Sequence, residues 1–184
     1  MTISYEEFGR RLIEAIVTAD RVEEALQGFA SGAFETSVKL AAGLVRAEGS
    51  GDVTKIHVDT LLDDDLLAFV ATLHVDMQVL VRVSGVPSRY TAAGRVTLVI
   101  RPLIGDDLSI VIDIPKVSEA DVSLKLRPSG AVASIIDQLG SVEEQVRREV
   151  VKFVNKRKDA PDAQRLRRID VGGTIVQEWE RLRG

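Results

Sequence analysis

A run of eighteen residues from position 66 to position 83, LLAFVATLHVDMQVLVRV, alternates between apolar and polar side chains. Every odd position from Leu67 to Val83 is apolar, and polar residues such as His74 and Asp76 occupy even positions. A period of two over this length predicts a half-buried β-strand. At about 3.3 Å per residue the strand would extend about 60 Å, several times the usual length. A sheet built from such strands must bend strongly or enclose something.

The neighbouring segments repeat this alternation and predict an antiparallel sheet over residues 34–127. Turn-forming residues separate its strands, including the cluster from Glu48 to Asp52 and the sequence Gly105-Asp106-Asp107. Because short turns join the last strands, the sheet is predicted to be an antiparallel meander. The individual strands are predicted at residues 34–44, 53–60, 66–83, 90–100, 108–114 and 117–127.

Amphipathic helices are predicted before and after this sheet. The first covers residues 4–31, begins at a capping box formed by Ser4 and Glu7, and carries an apolar stripe at helical spacing. The second covers residues 131–158 and is predicted to be interrupted at Gly140. Either helix could cover one face of the sheet.

The order of these elements predicts an α+β fold class. A long, strongly curved antiparallel β-meander is expected to wrap around a long amphipathic helix, with a further helix at the N-terminus. Residues 164–184 are expected to add a short strand and a closing helix. A length of 184 residues suits one domain, predicted to span residues 1–184.

The charge of the chain is distributed unevenly. The net charge is −4, but residues 147–184 contain 11 Lys and Arg against 6 Asp and Glu. This basic segment could contact an anionic membrane surface, although a solvated helix face followed by a basic tail is the favoured interpretation. Nucleic acid is not predicted as a partner, because aromatic residues make up only 4% of the chain and the remainder is acidic.

Compartment and membrane topology are also predicted from composition. The chain has no cysteine, which excludes disulfides and thiolate chemistry. The first residues lack the apolar core of a signal peptide, and no stretch of about 18 residues is free of charge. The chain is therefore expected to be cytoplasmic.

No group of residues in the sequence indicates catalysis. His57 and His74 are the two histidines, and neither lies beside a Ser or Cys nucleophile motif. The three consecutive residues Asp63, Asp64 and Asp65 could bind a divalent cation, but they lack the spacing of a calcium loop and are predicted to form a solvated turn. No catalytic residue, metal site or cofactor is predicted, and the chain is expected not to be an enzyme.

What remains is the apolar face of a long curved sheet, which must be covered. If the helices fill the trough, it is a packed core. If they lie along one side, they leave an elongated lumen that would accept acyl chains, because apolar contact is non-directional and scales with buried area. Periodicity alone leaves both alternatives open.

A long amphipathic helix follows the sheet through VSLKLRPSG into IIDQLGSVEEQVRREVVKFVNKR. This order, with a leading helix and very long strands, resembles the tubular lipid-binding (TULIP) superfamily, which includes bactericidal/permeability-increasing-type domains, synaptotagmin-like mitochondrial-lipid-binding domains and small bacterial members. The resemblance implies a lipid in the groove between sheet and helix. The lining it implies is Phe69, Leu73, Val75, Met77, Val96, Leu98 and Ile100 from the sheet, facing Val146, Val150 and Phe153 from the helix.

Three hypotheses about function follow. The leading one is non-enzymatic binding, with transport as a further step, of a lipid or another elongated apolar ligand. A hydrophobic-ligand fold of the START or helix-grip type is a second, although there a strand precedes the helices. The third is a structural or protein-interaction module with a packed core, in which exposed sheet edges could pair with a partner or a second copy.

Overall fold

The structure, a computed structural model, describes residues 2–30, 34–40, 45–63, 66–83, 86–107, 109–129 and 136–172. These ranges contain four α-helices, seven β-strands and one short 3₁₀ helix. The helices are α1 (Tyr5–Ile16), α2 (Ala19–Ala30), α3 (Ile136–Lys158) and α4 (Pro161–Leu166), and the 3₁₀ helix is Glu119–Asp121. The strands are β1 (Phe34–Leu40), β2 (Val45–Asp63), β3 (Leu66–Val83), β4 (Val86–Ile104), β5 (Ser109–Asp113), β6 (Val122–Pro128) and β7 (Arg168–Asp170).

All strand pairs in the described sheet are antiparallel. Strands β1 to β4 pair in chain order, which confirms the predicted meander for this part. Strand β4 is 19 residues long, so its two halves pair with different partners. Its residues 90–96 pair with β6, and its residues 101–104 pair with β5, which continues to β7. The sheet therefore departs from a simple meander at β6.

The alternation of side chains on β3 produces one buried and one more exposed face, as predicted. Each odd position from Phe69 to Val81 is at most 4% exposed. Strand β4 buries its even positions in the same way, from Ser88 to Ile100, apart from the partly exposed Gly94. We call the face that carries these buried residues the inner face, and the opposite one the outer face.

Helix α3 lies along the inner face and reveals the curvature of the sheet. It contacts the two edge strands of the β1-β2-β3-β4-β6 sheet more extensively than any strand between them, among the described residues. In a flat sheet these edges would lie about 19 Å apart, with the middle strands nearest the helix. The sheet therefore curls around α3. This confirms the predicted α+β fold with a strongly curved sheet wrapped around a long helix.

The predicted N-terminal helix over residues 4–31 is wrong in one respect, because the structure divides it. Ser4 caps α1 as predicted, with its Oγ accepting the Glu7 N–H at 3.1 Å. Val17 then adopts an extended backbone and is 1% exposed. The Thr18 Oγ1 accepts the Arg21 N–H at 3.4 Å and starts α2. Val17 therefore ends α1, and Thr18, whose hydroxyl caps a helix, begins α2. Both residues are β-branched, which lowers their preference for a helix interior.

Two predicted interruptions are also wrong. The cluster from Glu48 to Asp52 was predicted to be a turn, but it lies within β2 and pairs with β3 throughout. Its residues 48–51 also pair with β1 on the other side. Gly140 was predicted to interrupt the second helix, and α3 instead continues through it. In the first case the pairing with β1 and β3 overrides the local turn preference of the cluster.

Other boundaries shift by several residues. The last sheet strand was predicted at residues 117–127, but its first part is irregular and 3₁₀, and β6 begins at Val122. The short strand predicted near the C-terminus is confirmed as β7. Pro161 stands at the start of α4. The predicted closing helix and residues 131–135 lie outside the described residues.

The side chain of Asn155 attaches the segment before β6 to α3. The Val117 N–H donates to Asn155 Oδ1 at 2.9 Å, and Asn155 Nδ2 donates to the Val117 carbonyl oxygen at 2.9 Å. Val117 is 3% exposed, so its backbone groups have little access to water. One amide therefore satisfies both polar groups of a buried residue.

We expect Asn155→Ala to lower the free energy of unfolding by about 1–3 kcal/mol, because both Val117 groups would lose their partner while still buried. Urea denaturation monitored by circular dichroism measures the change. Lys156→Ala, at the exposed neighbouring position, is the control and should leave stability nearly unchanged. Equal stability of the two variants would contradict this account.

Gly94 allows β6 to approach β4 closely. A Cβ atom at this position would lie 2.8 Å from Leu124 Cδ1 and 2.8 Å from the Ser123 carbonyl oxygen. The second contact is with backbone, which cannot rotate away. A side chain at position 94 would therefore push β6 off the sheet.

Gly94→Val should destabilise the protein by about 1–3 kcal/mol through this overpacking. The matched control is Ala93→Val, which adds a valine at the adjacent, exposed position of the same strand and should change stability by about 0.5 kcal/mol or less. Thermal and urea unfolding of both variants test the difference. Indistinguishable variants would show that the approach of β6 does not depend on glycine.

Candidate functional site

The structure brings the ten predicted lining residues together in one apolar cluster under the curved sheet. Nine of them are 0–4% exposed, and the tenth, Phe153, is partly buried and packs against them. None of the ten lines any of four cavities that are bounded by described residues. Their assignment as ligand-binding residues stays a prediction. The residues are Phe69, Leu73, Val75, Met77, Val96, Leu98, Ile100, Val146, Val150 and Phe153.

Cross-strand pairing arranges the sheet residues of this cluster as a ladder. Phe69 stands opposite Ile100 and Leu73 opposite Val96, while Ala71 stands opposite Leu98. Residues directly opposite each other share a face and lie in side-chain contact range. From the helix, Val142, Val146, Val150 and Val154 recur every four residues and are all buried. The inner surface is therefore aliphatic along both the sheet and the helix.

Small residues line the inner face towards one end of the sheet. This end consists of residues 34–40, 45–51, 77–83, 86–91 and 128–129, and we call it the hairpin end. Ala47, Gly49 and Gly51 stand opposite Val81, Val79 and Met77 and so share the inner face with them. On β4, Ala92 and Gly94 occupy the next two inner positions. Small residues therefore occupy inner positions on both β2 and β4, and their side chains extend less far into the space between the sheet and α3.

Two inner hydroxyls at the hairpin end have no hydrogen-bond partner among the described residues. They are Thr36 Oγ1 and Ser88 Oγ, both buried. Thr36 pairs with Gly49, and Ser88 pairs with Val81, which places both side chains on the inner face. A buried hydroxyl without a partner is destabilising, so each requires a structural or functional explanation.

The sequence analysis did not single out these hydroxyls, although a signal was present. Each occupies a position where the period-two pattern of its strand expects an apolar residue. Thr36 lies between Phe34 and Val38, and Ser88 precedes Tyr90 and Ala92 in the inner series of β4. Polar exceptions in an apolar series are thus candidates for functional residues.

Two adjoining cavities occupy the hairpin end. The larger, of about 780 Å³, crosses β1 to β4 on the outer face. The smaller, of about 480 Å³, lies at the edge of β4 beyond the end of β6. The larger is lined by Glu35, Thr36, Ser37, Glu48, Gly49, Ser50, Gln78, Val79, Leu80, Arg89, Tyr90, Thr91 and Ser129. The smaller is lined by Leu80, Arg82, Pro87, Ser88, Arg89, Tyr90, Pro128 and Ser129.

Both histidines lie on the outer face. His57 is exposed and its Nε2 is 3.2 Å from Asp59 Oδ1, while His74 pairs across the strands with Lys55 and Arg95. Among the described residues, no three His, Asp or Glu side chains are placed to hold a metal ion. Of the predicted acidic turn, Asp64 and Asp65 lie outside the described residues.

The cations of the basic segment are largely engaged in ion pairs within the chain. Each of six Lys and Arg residues in this segment has a carboxylate within 4 Å. These residues are Arg147, Arg148, Lys152, Arg157, Lys158 and Arg168. The described part of the segment therefore presents less uncompensated charge than its composition suggests. Contact with an anionic membrane stays a prediction.

Hydrogen bonds stabilise the ionised form of two loop carboxylates. The Ser109 hydroxyl and the Ser109 N–H both donate to Asp107 Oδ1, at 2.7 Å and 3.2 Å respectively. Together with the nearby Arg168, these hydrogen bonds hold the pKa of Asp107 below its usual value. The Ser118 hydroxyl and N–H, both 2.7 Å from Asp121 Oδ2, lower the pKa of Asp121 in the same way. These bonds stabilise the β4–β5 turn and the start of β6.

Comparisons with known proteins give a likeness of structure and none of sequence. No family model and no curated protein matches the chain. Among solved structures, the chain is similar to the crystal structure of lipopolysaccharide binding protein, with 15% sequence identity and a TM-score of 0.44. The match covers 79% of this chain and 37% of the other, so this chain spans little more than a third of that protein's length. None of the described helices is long and apolar enough to cross a membrane.

The two loop carboxylates predict a dependence of stability on pH. Because their pKa values are lower in the folded than in the unfolded chain, their contribution is present above about pH 4 and is lost as the pH falls through the folded values. Asp107→Asn and Asp121→Asn should each lower the melting temperature at pH 7 and reduce its fall between pH 7 and pH 3.

Thermal unfolding at the two pH values measures both effects. Asp106→Asn, an exposed substitution beside Asp107, controls for the loss of one negative charge. If Asp107→Asn and Asp121→Asn melted at the wild-type temperature at pH 7, the serine hydrogen bonds would not contribute to stability.

Proposed function

We propose that the chain binds a lipid, or another elongated apolar molecule, in the groove between the inner face of the sheet and α3. Binding without catalysis is the function that the described geometry supports best. The observation that carries the proposal is the curl of a sheet with strands of 18 and 19 residues around a helix, with aliphatic side chains on both. Acyl chains fit such an interior because apolar burial requires no directional partner.

The hairpin end supports the proposal in two ways. Small inner residues, including Gly49 and Gly51, reduce the side-chain volume between sheet and helix there. The buried hydroxyls of Thr36 and Ser88 offer hydrogen bonds that no described residue takes up. An amphiphile with its chain along the aliphatic ladder and its polar end near these hydroxyls would use both features.

The dense packing of the ten predicted lining residues favours a second candidate function. A sheet whose interior is a fully packed core would make the protein a structural or interaction module. In that case the long strands serve shape alone, and association through a sheet edge would be the activity. The two candidates differ in one observable property, namely whether a ligand occupies the interior.

Native mass spectrometry of freshly purified protein, followed by lipid analysis of an organic extract, separates these candidates. We expect a bound phospholipid or fatty acid in a fixed ratio to protein. A mass equal to that of the chain alone, together with a clean extract, would reject lipid binding and favour the interaction module.

A substitution that fills the groove provides a second test. Ala92→Phe adds volume on the inner face, opposite Met77, and should reduce the amount of retained lipid several-fold, because the added ring would occupy the space of the chain. Ala93→Phe places the same ring at the adjacent exposed position and should retain wild-type levels. Circular dichroism and melting temperature establish that both variants fold, and equal lipid content in the two would place the ligand elsewhere.

A further inference from the structure

The smaller cavity at the hairpin end lies where one edge of β4 has no partner strand among the described residues. Strand β6 ends opposite Tyr90, where Pro128 pairs with it, and one further bond runs from the Ser129 N–H to the Arg89 carbonyl oxygen at 2.9 Å. Beyond this point β4 continues to Val86, and β3 is the one strand that pairs with it among the described residues. The cavity is accordingly lined by inner-face Ser88 and outer-face Arg89 together. A ligand there can contact both faces around a single edge.

Arg89 supplies an uncompensated cation to this edge. It lines both cavities and has no carboxylate within 4 Å among the described residues, and it is exposed. Arg127 is likewise without an ion-pair partner in the described part of the chain, and it pairs with Thr91, two residues along β4 from Arg89. Diagonal neighbours on one face lie about 7–8 Å apart, so two guanidinium groups can approach one anion.

The carboxylates near Arg89 leave this positive charge in place. Glu48 lines the larger cavity, but Arg82 Nη1 lies 2.7 Å from its Oε2 and Arg46 lies at 4.0 Å. Glu35 lies on β1, three strands away from Arg89 across the sheet, at a distance of about 14 Å. The β4 end of the two cavities is therefore cationic, and the β1 end carries a carboxylate.

Hydroxyl groups complete the cationic end. Ser88 Oγ is buried, on a residue 8% exposed, and has no partner among the described residues. Ser129 also lines both cavities beside Arg89. A guanidinium with nearby hydroxyl donors is the arrangement that binds tetrahedral oxyanions, because arginine donates to two oxygens and hydroxyls to the others. The larger cavity, with Ser50, Gln78 and Glu35, adds partners for hydroxyl groups.

We propose that the hairpin end binds the phosphate group of a phosphorylated polyol. Arg89 holds the phosphate, Ser88 and Ser129 donate hydrogen bonds to it, and the polyol extends across the outer face towards Gln78 and Glu35. The phosphate could belong to a soluble ester or to the headgroup of a phospholipid. The phospholipid headgroup rests on the lipid binding proposed above, and the soluble ester does not.

Isothermal titration calorimetry with three probes tests the site. Glycerol 3-phosphate carries the phosphate without a chain, glycerol lacks the phosphate, and dihexanoyl phosphatidylglycerol below its micelle concentration carries a phosphodiester with short chains. Arg89→Gln should raise the Kd of a phosphate-bearing probe about tenfold to a hundredfold. Arg95→Gln, at an exposed arginine on the same strand and face but outside both cavities, is the matched control and should leave the Kd unchanged.

Ser88→Ala provides an independent measurement. It should weaken binding several-fold while leaving the stability of the unliganded protein equal or higher, because it removes a buried hydroxyl without a partner. A merely structural role for Ser88 would instead lower stability and leave the Kd unchanged, and that result would remove Ser88 from the site.

The pattern across probes decides the source of the phosphate. Binding of glycerol 3-phosphate that depends on Arg89 identifies a soluble ester as sufficient, and binding of the phosphatidylglycerol alone with the same dependence identifies a lipid headgroup. Binding of no probe, equal binding of glycerol and glycerol 3-phosphate, or equal effects of Arg89→Gln and Arg95→Gln overturns the proposal. Purified protein that retains acyl chains but shows no Arg89-dependent binding of either phosphate-bearing probe refutes this site alone. Arg89-dependent binding of glycerol 3-phosphate to protein with a clean lipid extract refutes lipid binding alone.

Discussion

The closure of the curved sheet on α3 is the contact on which the rest of the structure depends. Strands β3 and β4 carry an apolar face along most of their length, and each Å² of it left in water would cost about 25 cal/mol. A helix about 10–12 Å in diameter cannot cover five flat strands, so the strands curl until both edges meet it. Helix α2 packs against β2 and adds to this cover. Curvature is thus the solution to a mismatch between the width of the sheet and the width of its cover.

The parts of the fold that were predictable are those whose signal is periodic and long. Strand β3 and the valine series of α3 follow from spacing alone, because packing against a core selects one side-chain period over many residues. The segment from Glu48 to Asp52 was mistaken for a turn because its composition matches one locally. It is a strand because β1 and β3 pair with it on either side. Gly49 also makes room for Thr36, whose Cγ2 would lie only 3.1 Å from a Cβ atom at position 49. Pairing partners more than ten residues away do not appear in a local pattern.

The candidate site likewise contains residues that the sequence pattern identifies and residues that only the fold identifies. The ten apolar residues of the interior could be identified from strand alternation and helical spacing, and the structure does gather them in one cluster. Thr36 and Ser88 were visible as polar exceptions within apolar series, although their lack of partners depends on the fold. Arg89 had no local signal, because it resembles any exposed arginine on a strand. Its position matters only since β6 ends opposite Tyr90, a register set by residues nearly forty positions further along the chain.

That register connects the interior with the outer face. A β-sheet normally separates its two faces completely, because the backbone hydrogen bonds between strands leave no passage for a side chain or ligand. At the hairpin end no described residue pairs with this edge of β4, so Ser88 of the inner face and Arg89 of the outer face line the same cavity. An amphiphile needs an apolar interior and a polar exit that meet at one place. Extending β6 by two paired residues would close this edge, so the early end of one short strand determines whether the two environments communicate.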